Sequence, residues 1–203
     1  SIPLNAVVSS IYMQASFATH VNHSVEPPDI TDQIFKNTSM DCASYANNYR
    51  GLAIDKGQDK YFSSSISITA NEENCEIETN GIPNHDFNDS GINFVNEVGI
   101  VNRRFSISRN PVFLDSPIQL SQNTWDAILL NGVVVDLLSN GCYRPDDVNS
   151  DNSGNIQFGC IFNEDKWLLD PLFEKNNFGT DSHNAHAQPD GTYHYHGNPV
   201  AMF

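Results

Sequence analysis

The fold is organised around the stretch Asp181-Ser-His-Asn-Ala-His-Ala-Gln-Pro-Asp-Gly-Thr-Tyr-His-Tyr-His-Gly197. Four of the seven histidines of the chain lie in it: His183, His186, His194 and His196. Pro189-Asp190-Gly191 is a turn signal, because proline presets φ and glycine supplies a positive φ that other residues resist. Thr192 to His196 then has the β-branched and aromatic composition of a short strand. The turn is therefore expected to bring the first two histidines back toward the last two.

The order of residues in this strand predicts one face of histidines and one face of tyrosines. Alternate side chains of a strand share a face, so His194 and His196 point one way while Tyr193 and Tyr195 point the other. Three or four imidazoles that converge in this way suit Zn, Cu, Fe or Ni, which accept neutral imidazole readily. The alternative interpretation is that the histidines are hydrogen-bonded turn residues beside two packed tyrosines.

Two carboxylates of the same stretch are further candidates for this site. Asp181 and Asp190 could each add an oxygen ligand, or could orient the ring nitrogen of a ligating histidine. The candidate metal ligands from this stretch are thus His183, His186, His194, His196, Asp181 and Asp190.

The part from Asn184 to Gly197 resembles the signature of the YHYH domain family, which is named for its Tyr-His-Tyr-His core. Three further stretches are similar to that family's pattern: Thr79-Asn-Gly-Ile-Pro-Asn-His85, Leu130-Asn-Gly-Val-Val-Val-Asp136, and the run from Trp167 through Asp170-Pro171 to Phe178-Gly-Thr-Asp181. The resemblance covers residues 40 to 203 and implies a secreted or cell-surface bacterial-type protein whose biochemical role is largely undefined. It also makes His85 a candidate ligand, because the family-like motif places a histidine there.

The sequence departs from the family's pattern at the end of the chain. Members usually continue with a further glycine-rich segment, whereas this sequence ends at Phe203. The expectation is that a neighbouring chain covers this end, or that the sequence is a processed or partial form of a longer protein. The first case makes the C-terminal end a candidate for self-association.

Composition and charge narrow the range of partners. The length of 203 residues suits one domain, and the net charge of −15 disfavours nucleic acid or an anionic membrane surface while favouring cations. No apolar run approaches the roughly 20 residues that span a bilayer. If the protein is exported, Ser1 follows its signal cleavage site.

The four cysteines indicate an oxidising compartment. Cys42, Cys75, Cys142 and Cys160 allow three pairings, and none belongs to a C-x-x-C pair. Pairing between sequence neighbours, Cys42 with Cys75 and Cys142 with Cys160, is favoured. Disulfides persist outside the cytosol, so a secreted or cell-surface location is predicted, with the periplasm as an alternative.

The remaining patterns predict a mainly β fold. Alternation from Phe62 to Thr69 and from Cys75 to Thr79 indicates two strands, and the turn between them at 71–74 makes a hairpin. Further strands are predicted at 99–107, 125–130 and 133–138, with Asn131-Gly132 as a turn that needs positive φ. We expect one antiparallel sandwich or barrel-like domain with long loops and two disulfides.

The domain division is predicted to fall near residue 40. Residues 1–40 form an arm or edge strands, and residues 41–203 form the YHYH-like β domain. The arm could pair with another subunit as an added strand; an ordinary edge strand of the same domain is the alternative.

A separate acidic loop is a weaker candidate for calcium. Asp147, Asn149 and Asp151 keep the i, i+2, i+4 spacing of a calcium loop. Against calcium, Asn152 replaces the usual glycine and Phe158 stands where a bidentate glutamate is expected. A solvated loop closed by a disulfide is the other interpretation.

Three functions fit these patterns. The first is a secreted metal-binding protein that holds copper or zinc in the histidine cluster. The second is a metal-dependent hydrolase that uses the same cluster, since no G-x-S-x-G nucleophile elbow is present. The third is a subunit of an extracellular assembly or filament, completed by strand exchange at its N-terminal arm or C-terminal end.

Overall fold

A computed structural model describes residues 25–118, 120, 124–138, 140–143, 155–156, 168–172 and 179–202. Within residues 140–169 it describes the backbone only. The predicted Cys142–Cys160 disulfide and the candidate calcium loop at Asp147, Asn149 and Asp151 lie outside this description, and both stay predictions.

The first sheet contains four antiparallel strands in the order β1-β2-β3-β4. They are β1 (Asn47–Asp55), β2 (Lys60–Ala70), β3 (Asn74–Thr79) and β4 (Arg103–Ser108). The predicted hairpin at 71–74 is confirmed, because Asn71 Oδ1 accepts hydrogen bonds from the backbone N–H groups of Glu73 and Asn74 and so closes the turn. The strand predicted from residue 99 begins only at Arg103.

Seven shorter strands follow. They are β5 (Ala127–Ile128), β6 (Val134–Val135), β7 (Asn140–Tyr143), β8 (Asn155–Ile156), β9 (Leu168–Leu169), β10 (Ala185–Ala187) and β11 (Tyr193–Tyr195). The second sheet has the order β10-β11-β6-β5, and a third small sheet has the order β8-β7-β9. All pairs are antiparallel except β11 with β6, which is parallel.

The fold class is mainly β, as predicted. In the described ranges the strands form no closed barrel, and the helical elements are two short 3-10 turns, at Cys42–Tyr45 and Val200–Met202. None of these described helical turns has the length and apolar character of a membrane-crossing helix.

The first two sheets share their core. Phe87, Val133, Tyr193 and Tyr195 belong to one buried cluster that also includes Ala53 of β1. A second cluster joins Ile66, Ile68 and Ile77 of the first sheet to Ile128 and Leu130 near β5. Side chains from both sheets therefore pack into common apolar clusters, which holds the second sheet in a fixed position.

The predicted turn at Asn131-Gly132 lies where the two sheets meet. Gly132 has φ +80°, as the hairpin signal requires, and its N–H donates to the Leu129 carbonyl at 2.9 Å. A Cβ at this position would clash with the Thr79 side chain and lie 2.7 Å from Cγ1 of Ile66. The turn therefore needs glycine both for its backbone angle and for its close approach to the first sheet.

The predicted Cys42–Cys75 disulfide is present, with its Cα atoms 6.2 Å apart. It connects the segment before β1 to the buried start of β3. Residues just before it contact the same sheet, since Asp29 forms an isolated parallel bridge with Arg50 of β1. The division of the chain near residue 40 stays a prediction.

Candidate metal centre

The histidine-rich stretch forms a hairpin of two short strands. β10 and β11 pair in antiparallel register, with His186 directly opposite His194. Gly191 has φ +89° and donates its N–H to the Gln188 carbonyl at 2.9 Å, so the predicted Pro-Asp-Gly turn is confirmed. On the other face Ala185 lies opposite Tyr195, and small residues there leave room for the large rings.

The two faces of β11 carry different chemistry, as the alternation predicted. Tyr193 and Tyr195 are fully buried and belong to the core cluster shared by the two sheets. His194 and His196 point away from that core and meet His186 of β10. All three histidines are almost completely excluded from solvent.

The three imidazoles converge on their Nε2 atoms. Nε2 of His196 lies 3.0 Å from Nε2 of His194 and 3.0 Å from Nε2 of His186. The three ring centroids are 4.7 to 4.9 Å apart, so the rings form a nearly equilateral triangle. One ligand atom from each residue lies within 4.8 Å of the others, and the group could therefore hold a metal ion.

The outer ring nitrogens are anchored to the backbone. Nδ1 of His196 lies 2.6 Å from the Leu137 carbonyl, and Nδ1 of His194 lies 3.1 Å from the Thr192 carbonyl. A carbonyl oxygen can only accept, so each Nδ1 carries the hydrogen and donates it. In each neutral ring Nε2 is then left with its lone pair directed into the triangle, which is the arrangement of a metal-ligating histidine.

Burial keeps these rings in the neutral form that binds metals. Burial lowers the pKa of His196 to about 4, with the neighbouring His186 acting in the same direction. The pKa of His194 is held well below its ordinary value by burial and then by His186 and His196. Near neutral pH both rings are therefore unprotonated and available as ligands.

The other two candidate histidines form a separate pair. The rings of His85 and His183 lie 4.1 Å apart. His85 contacts the Asp86 carbonyl through Nδ1 and the Tyr195 hydroxyl through Nε2, at 2.7 Å each, and burial lowers its pKa to about 4. His183 accepts a hydrogen bond from the Ala201 N–H at 3.2 Å through Nδ1. The structure thus brings His186, His194 and His196 together, and it places His85 against the tyrosine face, with the His183 ring beside His85.

The two candidate carboxylates stabilise turns. Asp181 is buried and accepts hydrogen bonds from the hydroxyl of Tyr193 at 2.8 Å and from three backbone N–H groups, those of Asn88, His183 and Ala185. Burial raises its pKa. Asp190 accepts from the Thr192 N–H at 2.9 Å and pairs with Arg103 at 3.3 Å. Both lie beside the hairpin, and their roles as metal ligands stay predictions.

A hydrogen-bond network behind the tyrosines was missed by sequence reasoning. Asn131 donates to the Tyr195 hydroxyl at 2.9 Å and to Asn84 Oδ1 at 3.2 Å, and Asn84 in turn donates to the carbonyls of Ile30 and Gln33. The signal was present in the three motifs that contain His85, Asn131 and the Tyr-His-Tyr-His strand. These motifs are distant in sequence, and they meet at one point of the core.

Trp125 and Arg103 form the outer neighbourhood of the triad. The Trp125 ring lies 5.7 Å from the His194 ring, and the Arg103 guanidinium lies over Trp125, 5.1 Å from the ring centroid. Neither residue was a candidate in the sequence, because both come from strands or loops far from the histidines.

The described fold and site define a mainly β protein with a buried three-histidine cluster on a Tyr-His-Tyr-His strand. Residues 104–203 match the model of the family described as YHYH protein, so the chain carries the domain of the YHYH family. The match begins within β4, whereas the motif resemblance extends back to residue 40. No curated protein and no solved structure is significantly similar to the chain.

Proposed function

We propose that His186, His194 and His196 bind one transition-metal ion, with zinc or copper preferred, and that the protein is a secreted or cell-surface metal-binding protein. The observation that carries this proposal is the 3.0 Å contact between Nε2 of His194 and Nε2 of His196. Both rings donate Nδ1–H to a carbonyl, so both Nε2 atoms present lone pairs. Two facing lone pairs repel unless a cation lies between them.

A proton is the other cation that could join the two nitrogens. It would convert one ring to an imidazolium, and burial of a charged group without a compensating anion is unfavourable. A metal ion also carries charge, but it forms bonds to all three imidazoles at once, which offsets the loss of hydration. A metal ion therefore accounts for the convergence of all three Nε2 atoms, whereas a proton accounts for the close approach of only two of them.

The ligand set favours zinc or copper. Three neutral imidazoles suit both ions, and among the described residues no thiolate joins the group. Each anchored Nδ1–H fixes its ring orientation and increases the basicity of the opposite nitrogen. The Cys42–Cys75 disulfide supports export, since such bonds persist in oxidising compartments.

Elemental analysis of the purified full chain after dialysis tests the proposal. We expect about one equivalent of zinc or copper per chain, lost when His194 and His196 are both replaced by alanine. His183→Ala is the matched control, because it removes a histidine of the same hairpin that lies outside the triad. His196→Gln guards against misfolding of the double variant, with circular dichroism as the check. A chain that binds no transition metal, or a double variant that binds as much as wild type, would refute the proposal.

A metal-dependent hydrolase is the second candidate function. Among the described residues three protein ligands converge, and three ligands leave a coordination position for water or substrate, which is the pattern of catalytic rather than structural zinc. Zinc would supply a hydroxide near neutral pH in such a site. Hydrolysis of an activated ester that requires zinc and is lost in His196→Gln would support this function. Full metal occupancy with no hydrolysis would leave metal binding alone.

A further inference from the structure

A cavity of about 410 Å³ lies beside the triad. Six of its lining residues matter here: Arg103, Trp125, Asp136, Gln188, Pro189 and Asp190. Trp125 connects the cavity to the triad, because its side chain lines the cavity and its ring contacts the ring of His194. The volume falls in the range of about 300–1,000 Å³ that ligand sites occupy.

The cavity lies on the histidine face of the second sheet. Gln188 follows His186 by two residues, and its N–H continues the β10–β11 ladder by donating to Thr192. Asp136 continues the β6–β11 ladder by donating its N–H to the Tyr195 carbonyl, and it follows by two residues Val134, the partner of His194. Because alternate residues share a face, Gln188 and Asp136 point to the same side as the metal-binding histidines.

The charges of the cavity disfavour an anionic ligand. Arg103 pairs with Asp190 at 3.3 Å, so these two charges largely compensate each other, and the carboxylate of Asp136 stands nearby. An anion would be repelled by the carboxylate of Asp136. The choice of an uncharged ligand rests on the polar and apolar groups of the walls.

The polar groups of the walls call for a ligand that both donates and accepts. The Gln188 amide donates to Asp136 Oδ2 at 3.5 Å, and its second N–H and its carbonyl oxygen remain to donate and accept. Asp136 also accepts from the Leu137 N–H at 2.7 Å, and its carboxylate oxygens have further acceptor capacity. The Nε–H of Arg103 is buried and, in the described part of the chain, has no hydrogen-bond acceptor. Trp125 and Pro189 add apolar surface beside these groups, and an indole combines such a surface with its own N–H donor. Hydroxyl groups on a ring with apolar C–H faces match this combination.

We propose that this cavity binds a sugar unit of a neutral saccharide. A peptide fits less well, because peptides that add to a sheet use its main-chain groups, whereas these walls consist of side chains. The inference stands on the cavity alone. One extension rests on the proposed metal-dependent hydrolase. Only the Trp125 side chain lies between the cavity and His194, so saccharides would then be the substrate class of the metal centre.

Isothermal titration calorimetry of the full chain with cellohexaose, chitohexaose and xylohexaose tests the proposal, with and without chelator. We expect saturable binding of at least one of these saccharides, weakened at least about tenfold by Trp125→Ala and by Asp136→Asn. Ser67→Ala is the control, because Ser67 lies on the partly exposed face of the first sheet, outside this cavity, and its substitution should leave binding unchanged. Asp136→Asn keeps the shape of the side chain, so it tests the site even if Trp125→Ala perturbs the fold.

The outcomes separate this inference from the metal proposal. If the protein as purified, before any chelator is added, holds no metal and still binds a saccharide, the result would support the cavity and refute the metal site. Metal occupancy without binding of any of the three saccharides would refute the cavity and leave the metal site standing. Unweakened binding in both variants, or equal binding of an unrelated uncharged peptide, would also overturn the inference.

Discussion

The phenol oxygen of Tyr195 lies 2.7 Å from Nε2 of His85, on the side of β11 opposite the triad of His186, His194 and His196. Because His85 donates its Nδ1–H to the Asp86 carbonyl, its Nε2 is an acceptor and the tyrosine hydroxyl donates to it. The same oxygen accepts a hydrogen bond from Asn131. One hydroxyl group thus joins three segments of the chain behind the histidine triad.

Replacing Tyr195 by phenylalanine is expected to reduce the free energy of unfolding by about 1–3 kcal/mol, because it leaves His85 and Asn131 with unsatisfied buried groups. Urea denaturation measures the change, and an unaltered m value would show that the unfolding transition itself is the same. Tyr61→Phe is the matched control, since Tyr61 is 74% exposed and its hydroxyl faces water. Equal stability of the Tyr195 variant and wild type would contradict the role of the network.

The metal-free protein is expected to lose stability as the pH falls from about 6.5 to 4. Burial lowers the pKa of His85 to about 4 in the folded state, so the unfolded chain binds more protons in this interval. The free energy of unfolding therefore decreases on acidification, by at most about 1.4 kcal/mol per pH unit for this group.

Comparison of wild type with His85→Gln, both treated with chelator, isolates that contribution. The variant should show a smaller decrease in unfolding free energy over the same pH interval. Asp181, whose pKa is raised by burial, acts in the opposite direction, but it is present in both proteins and cancels in the comparison. Identical pH profiles would show that His85 does not titrate differently on unfolding.

Gly132→Ala is expected to be much more destabilising than Gly91→Ala. Both glycines have φ +80°, so both substitutions carry the same backbone penalty of about 1–2 kcal/mol. The Cβ added at Gly91 meets nothing within 4 Å, whereas the one at Gly132 clashes with Thr79. The difference between the two unfolding free energies, measured in urea, reports the contact between the sheets. Similar values for the two variants would argue against that contact.

Replacing Cys42 and Cys75 together by serine is expected to cost about 3–4 kcal/mol of stability, the value for a loop that closes a sequence separation of 33 residues. Reversible urea denaturation at one temperature measures it. Because Cys75 belongs to the second core cluster and the tyrosines of the histidine hairpin belong to the first, metal stoichiometry should not change. A loss of metal in this folded variant would show unexpected coupling between the two regions.

The local features of the fold were predictable from sequence. The turn at Gly191, the turn at Gly132 and the alternating faces of β11 all depend on residues adjacent in the chain, so their composition indicates them directly. The long strands β2 and β3 were predicted for the same reason. Strands of two residues such as β5 were predicted too long, because a packing partner, and not propensity, decides where they end.

The composition of the site was predictable only in part. His183 lies in a turn whose geometry is determined by Asp181, and Asp181 is held by Asn88 and Tyr193 from elsewhere in the fold. No local pattern contains that information. The parallel pairing of β11 with β6 is equally non-local, since about 60 residues separate the two strands along the chain.

The alternation of Tyr193, His194, Tyr195 and His196 has a consequence for how this strand can change. A substitution changes one side chain on one face of the strand and leaves the other face as it was. A deletion or insertion of one residue here reverses the orientation of every side chain that follows in the strand, which puts imidazoles into the apolar core and phenols on the face of the histidine triad. The hairpin is thus more sensitive to a change in strand register than to a single substitution at one of these four positions. With the proposed metal bound to the triad, retention of that metal would serve as a readout that the hairpin has folded in its correct register.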